Sequence, residues 1–551
     1  MIGLILAFEL LVCELPLKMS EQCANTLIEQ TPDLSVFTLE VSKNMPSTKI
    51  KTVTTGIAGL DTILGGGIPT GSLIMIVGAP GTGKTILIQQ LCFTWASLQR
   101  NTPIPDDETA AEATGRAAKA LYFSTLSEPH DKLIEHISQF DFFDRDVLNE
   151  QIKLLSLTAV MEEGLAQVSS LIIDTVRRER AWLVAVDSFG PLAALAPNNE
   201  AIRHFLYRLS GQLSYLGVTL IVSLERSLEG FSPSEGDLTI ADGILGMYSR
   251  LDGMREYNRV EVRKLRGMNR LRGLHAYRIT QAGITFYPRL EALVQQNLTR
   301  LPDSVRNDAR FGFGMPELEQ LMGGGLPPGS STVVAGSPSV GKTLLSLHFL
   351  MEGARKHEVG LYIGFSESRE RLITKAAAFG MDLQAAIDQN LVESLTLSPV
   401  ELEPDWVATQ IRQEVEKRGV QRLVLEGVSD LIRACHLEGR NHNFMAALES
   451  YFKSRNITAI YTCETNKIVG SELDLSDTPF MKMAENLMLL KQVEYKTRLH
   501  RVLSILKMRD SDYDHTIREF TVQTNSGIVV LEPIQSAEGL LTGQAHTSDE
   551  A

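Results

Sequence analysis

Short apolar runs, each ending in glycine, serine or a carboxylate, alternate along this chain with stretches whose apolar residues recur every three or four positions. LIMIVG, ALYFST, residues 152–156, WLVAVD and VTLIVSL read as strands. A segment opening at Lys84 and segments near 130–139 and 165–179 read as helices. Apolar runs with no polar face need cover on both sides, which a parallel sheet between helices supplies. The alternation therefore predicts an α/β fold with a mainly parallel sheet flanked by helices.

The pattern occurs twice. TGIAGLDTILGGGIPTGSLIMIVGAPGTGKT begins at Thr55, and GFGMPELEQLMGGGLPPGSSTVVAGSPSVGKT begins at Gly312. The glycine triplets at Gly65 and Gly323, and the lysines Lys84 and Lys342, are offset by 258. Glu128 and Glu367, and Asp187 and Glu426, are offset by 239, so the first copy holds 258 − 239 = 19 additional residues. These are assigned to LQRNTPIPDDETAAEATGRAAKA, a polar stretch with the character of a surface loop. The expected organisation is an N-terminal extension (1–46), a first domain (47–295), a linker near 290–305, a second domain (303–533) and a tail (534–551). Both ends are expected to be poorly ordered.

Composition narrows the class. At 551 residues the chain exceeds one ordinary core, and 44% hydrophobic with 22% charged residues suits a globular protein. A formal charge of −14 argues against a body made to coat DNA or an anionic membrane. Five irregularly spaced cysteines (Cys13, Cys23, Cys92, Cys435 and Cys463) offer no metal or disulfide framework, which fits a reducing cytoplasm. MIGLILAFELLVCELPLKMSEQ lacks a basic start and is interrupted by Glu9 and Glu14. It is read as translation from an upstream start codon, Met19 being the natural first residue, with a short amphipathic helix as the alternative.

GAPGTGKT (78–85) and GSPSVGKT (336–343) both satisfy G-x-x-x-x-G-K-[ST] directly between an apolar strand and a helix. Glycines in such a loop let backbone N–H groups converge on phosphate oxygens, and the helix N-terminus adds its positive end. The nucleotide-binding candidates are Gly78, Gly81, Thr82, Gly83, Lys84 and Thr85, with Gly336, Ser339, Val340, Gly341, Lys342 and Thr343 in the second copy. Lys84 and Lys342 would reach the β- and γ-phosphates of ATP, and Thr85 and Thr343 would put a hydroxyl on Mg²⁺. Asp187 and Glu426 end later strands and complete the metal set. A strand-end carboxylate that merely caps a turn is the plainer alternative for each. Glu128 and Glu367, just past a strand in both copies, are the candidates for polarising the attacking water. Lys264 with Arg266 and Lys507 with Arg509 each fall on one face of a strand by alternation. They read either as a solvated face or as fingers that reach a neighbouring subunit's triphosphate.

With those residues in place, the chain resembles the KaiC family of tandem RecA-like ATPases. The resemblance rests on TGIAGLDTILGGGIPTGS, both phosphate loops, FSESRERLITKAAAFGMDL, VDS at 186–188, KLRG and KMRD, and covers residues 47–290 and 303–533. It implies a double-ring homohexamer with ATP between subunits, slow hydrolysis, and trans-acting Lys264, Arg266, Lys507 and Arg509. Clock members add serine/threonine autophosphorylation. Here the family's paired glutamates read Ser127-Glu128 and Ser366-Glu367, and the phosphorylated Ser-Thr pair aligns with Met481-Lys482. Neither side chain of the latter pair accepts a phosphoryl group there.

The expectation is two ATP-binding sites and one dependable hydrolase, the first, because Glu426 is followed by Gly427 where Asp187 is followed by Ser188. The favoured function is a cytoplasmic ATP-driven switch or autokinase whose state a signalling protein reads. A DNA-dependent recombination ATPase would draw on the basic stretch RVEVRKLRGMNRLRG, yet LERSLEGFSPSEGDL, where such proteins place DNA loops, is acidic. A scaffold that holds ATP without turnover is the third reading.

Overall fold

The computed structural model describes residues 50–533 apart from 102–118, 126–129, 149, 227–238, 298–308, 436–438, 466–482, 496–497 and 510, together with Ala537–Glu538 and His546–Thr547. Glu128, Met481, Lys482, the N-terminal extension, most of the inserted loop, the acidic stretch beyond Arg226 and nearly all of the tail lie outside these residues.

The first half contributes nine strands to one sheet: β1 (Leu73–Gly78), β2 (Ala120–Ser124), β3 (Ile152–Ser156), β4 (Leu183–Asp187), β5 (Thr219–Glu225), β6 (Gly243–Asp252), β7 (Arg255–Leu265), β8 (His275–Thr280) and β9 (Gly283–Tyr287). The second half repeats them as β10 (Ser331–Gly336), β11 (Gly360–Gly364), β12 (Val392–Thr396), β13 (Arg422–Leu425), β14 (Thr458–Glu464), β15 (Asn486–Tyr495), β16 (Arg498–Met508), β17 (Arg518–Gln523) and β18 (Gly527–Pro533). The first sheet runs β9-β8-β7-β6-β1-β5-β4-β2-β3, and the second runs β18-β17-β16-β15-β10-β14-β13-β11-β12. Adding nine to every label of the first reproduces the second. In each, six strands are parallel and three meander antiparallel at one edge. These are tandem RecA-like α/β domains, as the alternation of apolar runs and helices requires.

The continuous apolar runs follow from burial on both faces. Along β1, Ile74 and Ile76 enter one core beneath helix Lys84–Asn101, whereas Leu73, Met75 and Val77 enter another beneath helices Leu165–Glu179 and Asn199–Tyr215. Along β13, Leu423 and Leu425 face one core and Val424 the other. Each such side chain contributes about 1.5–3 kcal/mol of burial, enough to fix both register and strand order.

Three details depart from the reading of the sequence. Ala120 lies beside Leu183 and Gly360 beside Arg422, so β2 and β11 are offset by 240. Eighteen of the additional residues therefore precede β2, and one falls between β2 and Glu128. The linker region opens with a helix, Leu290–Asn297, packed on helix Arg440–Ser454, and Leu290 belongs to a core of the second half. Arg440 fixes that seam through Glu291 (3.1 Å) and the fully buried Asp405 (2.5 Å), while Arg259 meets Glu403 at 3.0 Å. Finally, Arg422 stands where the first copy has Leu183, yet it is fully buried. It pairs with Glu358, lies 5.0 and 4.6 Å from the rings of Phe311 and Phe349, and donates to the carbonyls of Gly312 (2.7 Å) and Phe349 (2.8 Å).

Candidate nucleotide sites

Both phosphate loops sit where β1 and β10 end, at the C-terminal edge of a parallel sheet, the edge at which open α/β folds bind ligands. Gly81 and Gly83 adopt φ of 82° and 85°, a region that side chains enter at a cost. Ser339 holds the corresponding conformation at 61°, and Gly341 follows at 126°. Gly78 is needed for space, since a Cβ there would stand 2.5 Å from the Met247 carbonyl. Thr82 and Val340 are both fully buried: the Thr82 hydroxyl donates to the Ala79 carbonyl (2.9 Å), and Val340 joins the core. Tyr277, on β8, braces the first loop by donating to the Thr82 carbonyl at 2.7 Å.

The two lysines are buried and bond their own loops. Lys84 donates to the Ala79 carbonyl (2.9 Å), and Lys342 to those of Gly336 (2.9 Å) and Ser337 (2.8 Å). Burial pushes both pKa values below the ordinary lysine range, opposed by Glu225 and Asp187 at the first site and by Glu464 and Glu426 at the second. Glu225 and Glu464 were not among the sequence candidates. They end β5 and β14, in register with Gly78 and Gly336, and Glu464 lies 4.0 Å from Lys342. Their shared offset of 239 was the available signal.

The carboxylates differ between the copies. Asp187 is buried and accepts hydrogen bonds from Tyr122 (2.8 Å) and Ser223, while Thr85 is exposed at the start of its helix. Glu426 has one more methylene and uses it: its two oxygens accept from Thr343 and from Tyr362. The residue matching Ser223 is Thr462, which instead accepts from the Gly427 N–H at 2.9 Å. Burial raises the pKa of Glu426, reinforced by Glu367 and offset by its two hydroxyl donors. Tyr122 and Tyr362 occupy the same place on β2 and β11 and perform the same task, another pair that the repeated dipeptide LY could have revealed. Thr343 uses its single proton on Glu426 and keeps its lone pairs, so the bond does not remove it from a metal's reach.

Of the two candidate bases, Glu367 is described. It lies beside Glu426, and one of its oxygens accepts from Lys375.

Lys264, Arg266, Lys507 and Arg509 lie at the opposite edge of the sheets from the loops. Lys264 is opposite Ile244, which flanks Met75, and Lys507 is opposite Leu487, which flanks Val333. Both positions fall three residues, about 10 Å, before the end of β1 or β10. A β-bulge precedes the lysine in both copies, and Arg266 and Arg509 follow just beyond the strand, each N–H bonding the carbonyl of Asp242 or Glu485. The register is regular from each lysine to its arginine, so alternation across the pair is kept. Lys264 donates to the Thr239 carbonyl at 2.8 Å, Lys507 to that of Ala484 at 2.5 Å, and Arg266 pairs with Asp242 at 3.2 Å. Within one chain, none of the four meets its own phosphate loop.

The family model "ATPase: KaiC" matches residues 53–105, 109–291 and 312–535. The chain belongs to the KaiC ATPase family. Among its relatives, "Circadian clock oscillator protein KaiC 1" of Synechocystis sp. is 26% identical over 512 residues, spanning 91% of this chain and 93% of that protein. "Circadian clock oscillator protein KaiC" of Nostoc sp. is 27% identical over 515 residues, with 91% and 93% covered. As a KaiC-family chain it carries ATP-binding loops, and their lysines, glycines and adjoining hydroxyls fit a triphosphate. Among the described residues, no group of three or more His, Cys, Asp or Glu side chains could cage a metal. No described helix is long and apolar enough to cross a membrane.

Proposed function

We propose that this protein binds Mg·ATP at both loops and hydrolyses it slowly at the subunit interfaces of a homohexameric ring, as a cytoplasmic switch whose state a signalling protein reads. The observation that carries this reading is the separation of each site's parts. The loops close one edge of the sheets, while Lys264 and Lys507 stand about 10 Å back along the strand, with Arg266 and Arg509 two residues further on. A neighbouring protomer is the natural recipient of those cations.

In this scheme Lys84 and Lys342 hold the β- and γ-phosphates, and Thr85 with Asp187, or Thr343 with Glu426, holds the metal, which supplies positive charge to the phosphate oxygens when bound. Glu128 and Glu367 polarise the attacking water, and the neighbour's cations offset charge that develops on the transferring phosphoryl group. The first site is the faster, because Asp187 is held back by Tyr122 and Ser223 and leaves room for a metal-bound water, whereas Glu426 reaches Thr343 directly. Phosphorylation at 481–482 is not part of the proposal, since methionine and lysine carry no hydroxyl. The DNA reading loses support because Arg259, Arg263 and Arg270 of the basic stretch, which have no part in the proposed sites, bond groups of their own chain.

Subunit mixing tests the proposal. A Lys84→Ala chain and a Lys264→Ala/Arg266→Ala chain, each nearly inactive at the first site, should regain hydrolysis when assembled together. Mixtures no more active than the average of the two would refute sites completed in trans. Stimulation of the unmixed protein by single-stranded DNA would instead favour the recombination reading.

A further inference from the structure

Glu367 immediately precedes the helix Arg369–Ala378, whose N-cap is Ser368, with the Arg371 N–H donating to the Ser368 hydroxyl at 3.4 Å. Its two oxygens are treated differently. Oε1 forms an ion pair with Lys375, two turns into that helix, whereas Oε2 is buried and has no hydrogen-bond partner among the described residues. Such an oxygen is ordinarily satisfied. Glu367 lies within electrostatic reach of Glu426 and Tyr362, and Glu426 bonds both Tyr362 and Thr343. The spacing is also unusual. Side chains on one helix support each other at i,i+3 and i,i+4, and a separation of eight that starts outside the helix is not a surface ladder. The first copy places His136 eight residues after Glu128, so a titratable nitrogen base recurs at the matching place.

We propose that Lys375 is a positioning residue for Glu367: its ammonium anchors Oε1 so that Oε2 remains free to accept a proton from the attacking water. This rests on the reading of Glu367 as the base of the second site. In that step the water oxygen forms a bond to the γ-phosphorus as the bond to the bridging oxygen breaks. The bond's electron pair leaves on ADP, and the water's proton passes to Glu367 Oε2. Lys375 touches neither water nor phosphate. Without it, the carboxylate is free to rotate, and a misplacement of about 1 Å at a reacting group costs up to about a hundredfold in rate.

The experiment uses the full chain with Glu128→Gln, which keeps nucleotide at the first site while silencing its chemistry. Lys375→Met, Lys375→Arg and Glu367→Gln are compared on that background by steady-state ATP hydrolysis, with binding of a fluorescent ATP analogue as the check on folding. Lys375→Met should lose about 10- to 100-fold in kcat with KM and analogue affinity unchanged, and Lys375→Arg should recover most of that loss. A Lys375→Met protein with the parent's kcat, beside an inactive Glu367→Gln, would overturn the positioning role and leave the base standing. If Glu367→Gln turns over as fast as the parent, or if the parent does not turn over, the base reading falls and the inference with it. A loss confined to KM or to analogue affinity would also overturn it, by showing a merely structural part.

Discussion

Replacing His275 should flatten part of the acid limb of stability. The ring is fully buried on β8; its Nδ1 accepts from the Arg289 N–H at 3.0 Å, and its Nε2 lies 3.4 Å from the Leu271 carbonyl. A proton on Nδ1 would oppose the Arg289 N–H in a buried site. Burial accordingly lowers the pKa to about 4, with the Arg289 charge adding to the effect. The sign follows from linkage. An unfolded histidine titrates near 6.5 and binds its proton first, so this contribution is fully present above pH 6.5 and is lost as pH falls towards 4. A difference of roughly 2.5 units corresponds to about 3 kcal/mol, most of it lost between about pH 6.5 and 4.5. That window lies above the titration of ordinary carboxylates. His348, half-buried in the second half and accepting from the Ile528 N–H, shifts in the same direction, so the comparison must be made variant by variant. The assay is urea unfolding followed by Trp95 and Trp182 fluorescence in a Trp406→Phe background, at pH 7 and pH 5, with and without His275→Gln. The variant should be less stable at pH 7 but should lose about 2 kcal/mol less on acidification. Equal losses in both proteins would refute the argument that His275 is held neutral.

Three further outcomes follow from the sites and the core. Glu426→Asp withdraws the carboxylate from Thr343 and recreates the geometry of Asp187, so single-turnover hydrolysis at the second site, measured with Glu128→Gln, should rise several-fold; a fall would show that the direct contact assists turnover. Lys342→Ala should abolish nucleotide retention at the second loop and leave the first occupied, read by chromatography of released nucleotide. Arg422→Ala leaves Glu358 without its partner and opens space between Phe311 and Phe349, so thermal unfolding should report a loss of about 3–5 kcal/mol, whereas Arg422→Leu, which restores the first copy's residue, should lose less.

Much of this was legible because the chain is written twice. The strands that carry the loops are LIMIVG, apolar throughout, and STVVAG, apolar after its first two residues, and each loop lies between such a strand and a helix, so fold class and phosphate sites followed from local chemistry alone. Asp187 ends its strand, Glu426 lies one residue beyond its own and Glu367 three beyond, as the repeat leads us to expect of their positions. Tyr122, Ser223, Glu225, Glu464 and Lys375 were not found, because each acts through a neighbour brought in from another strand or from a later helical turn, and single-strand periodicity carries no record of such partners. The bulges before Lys264 and Lys507 escaped for the same reason: a one-residue change in register is set by the partner strand. Arg422 was the hardest to foresee. A charged residue opening an apolar strand reads as a strand end, and its burial depends on the two phenylalanine rings, Glu358 and the Gly312 and Phe349 carbonyls.

Native mass spectrometry of the intact protein, with and without Mg·ATP, tests the central claim most directly. The account predicts a closed six-membered ring that forms with nucleotide and carries two nucleotides on every chain. A monomer that holds nucleotide at both loops and hydrolyses it at the same rate as the concentrated protein would contradict it.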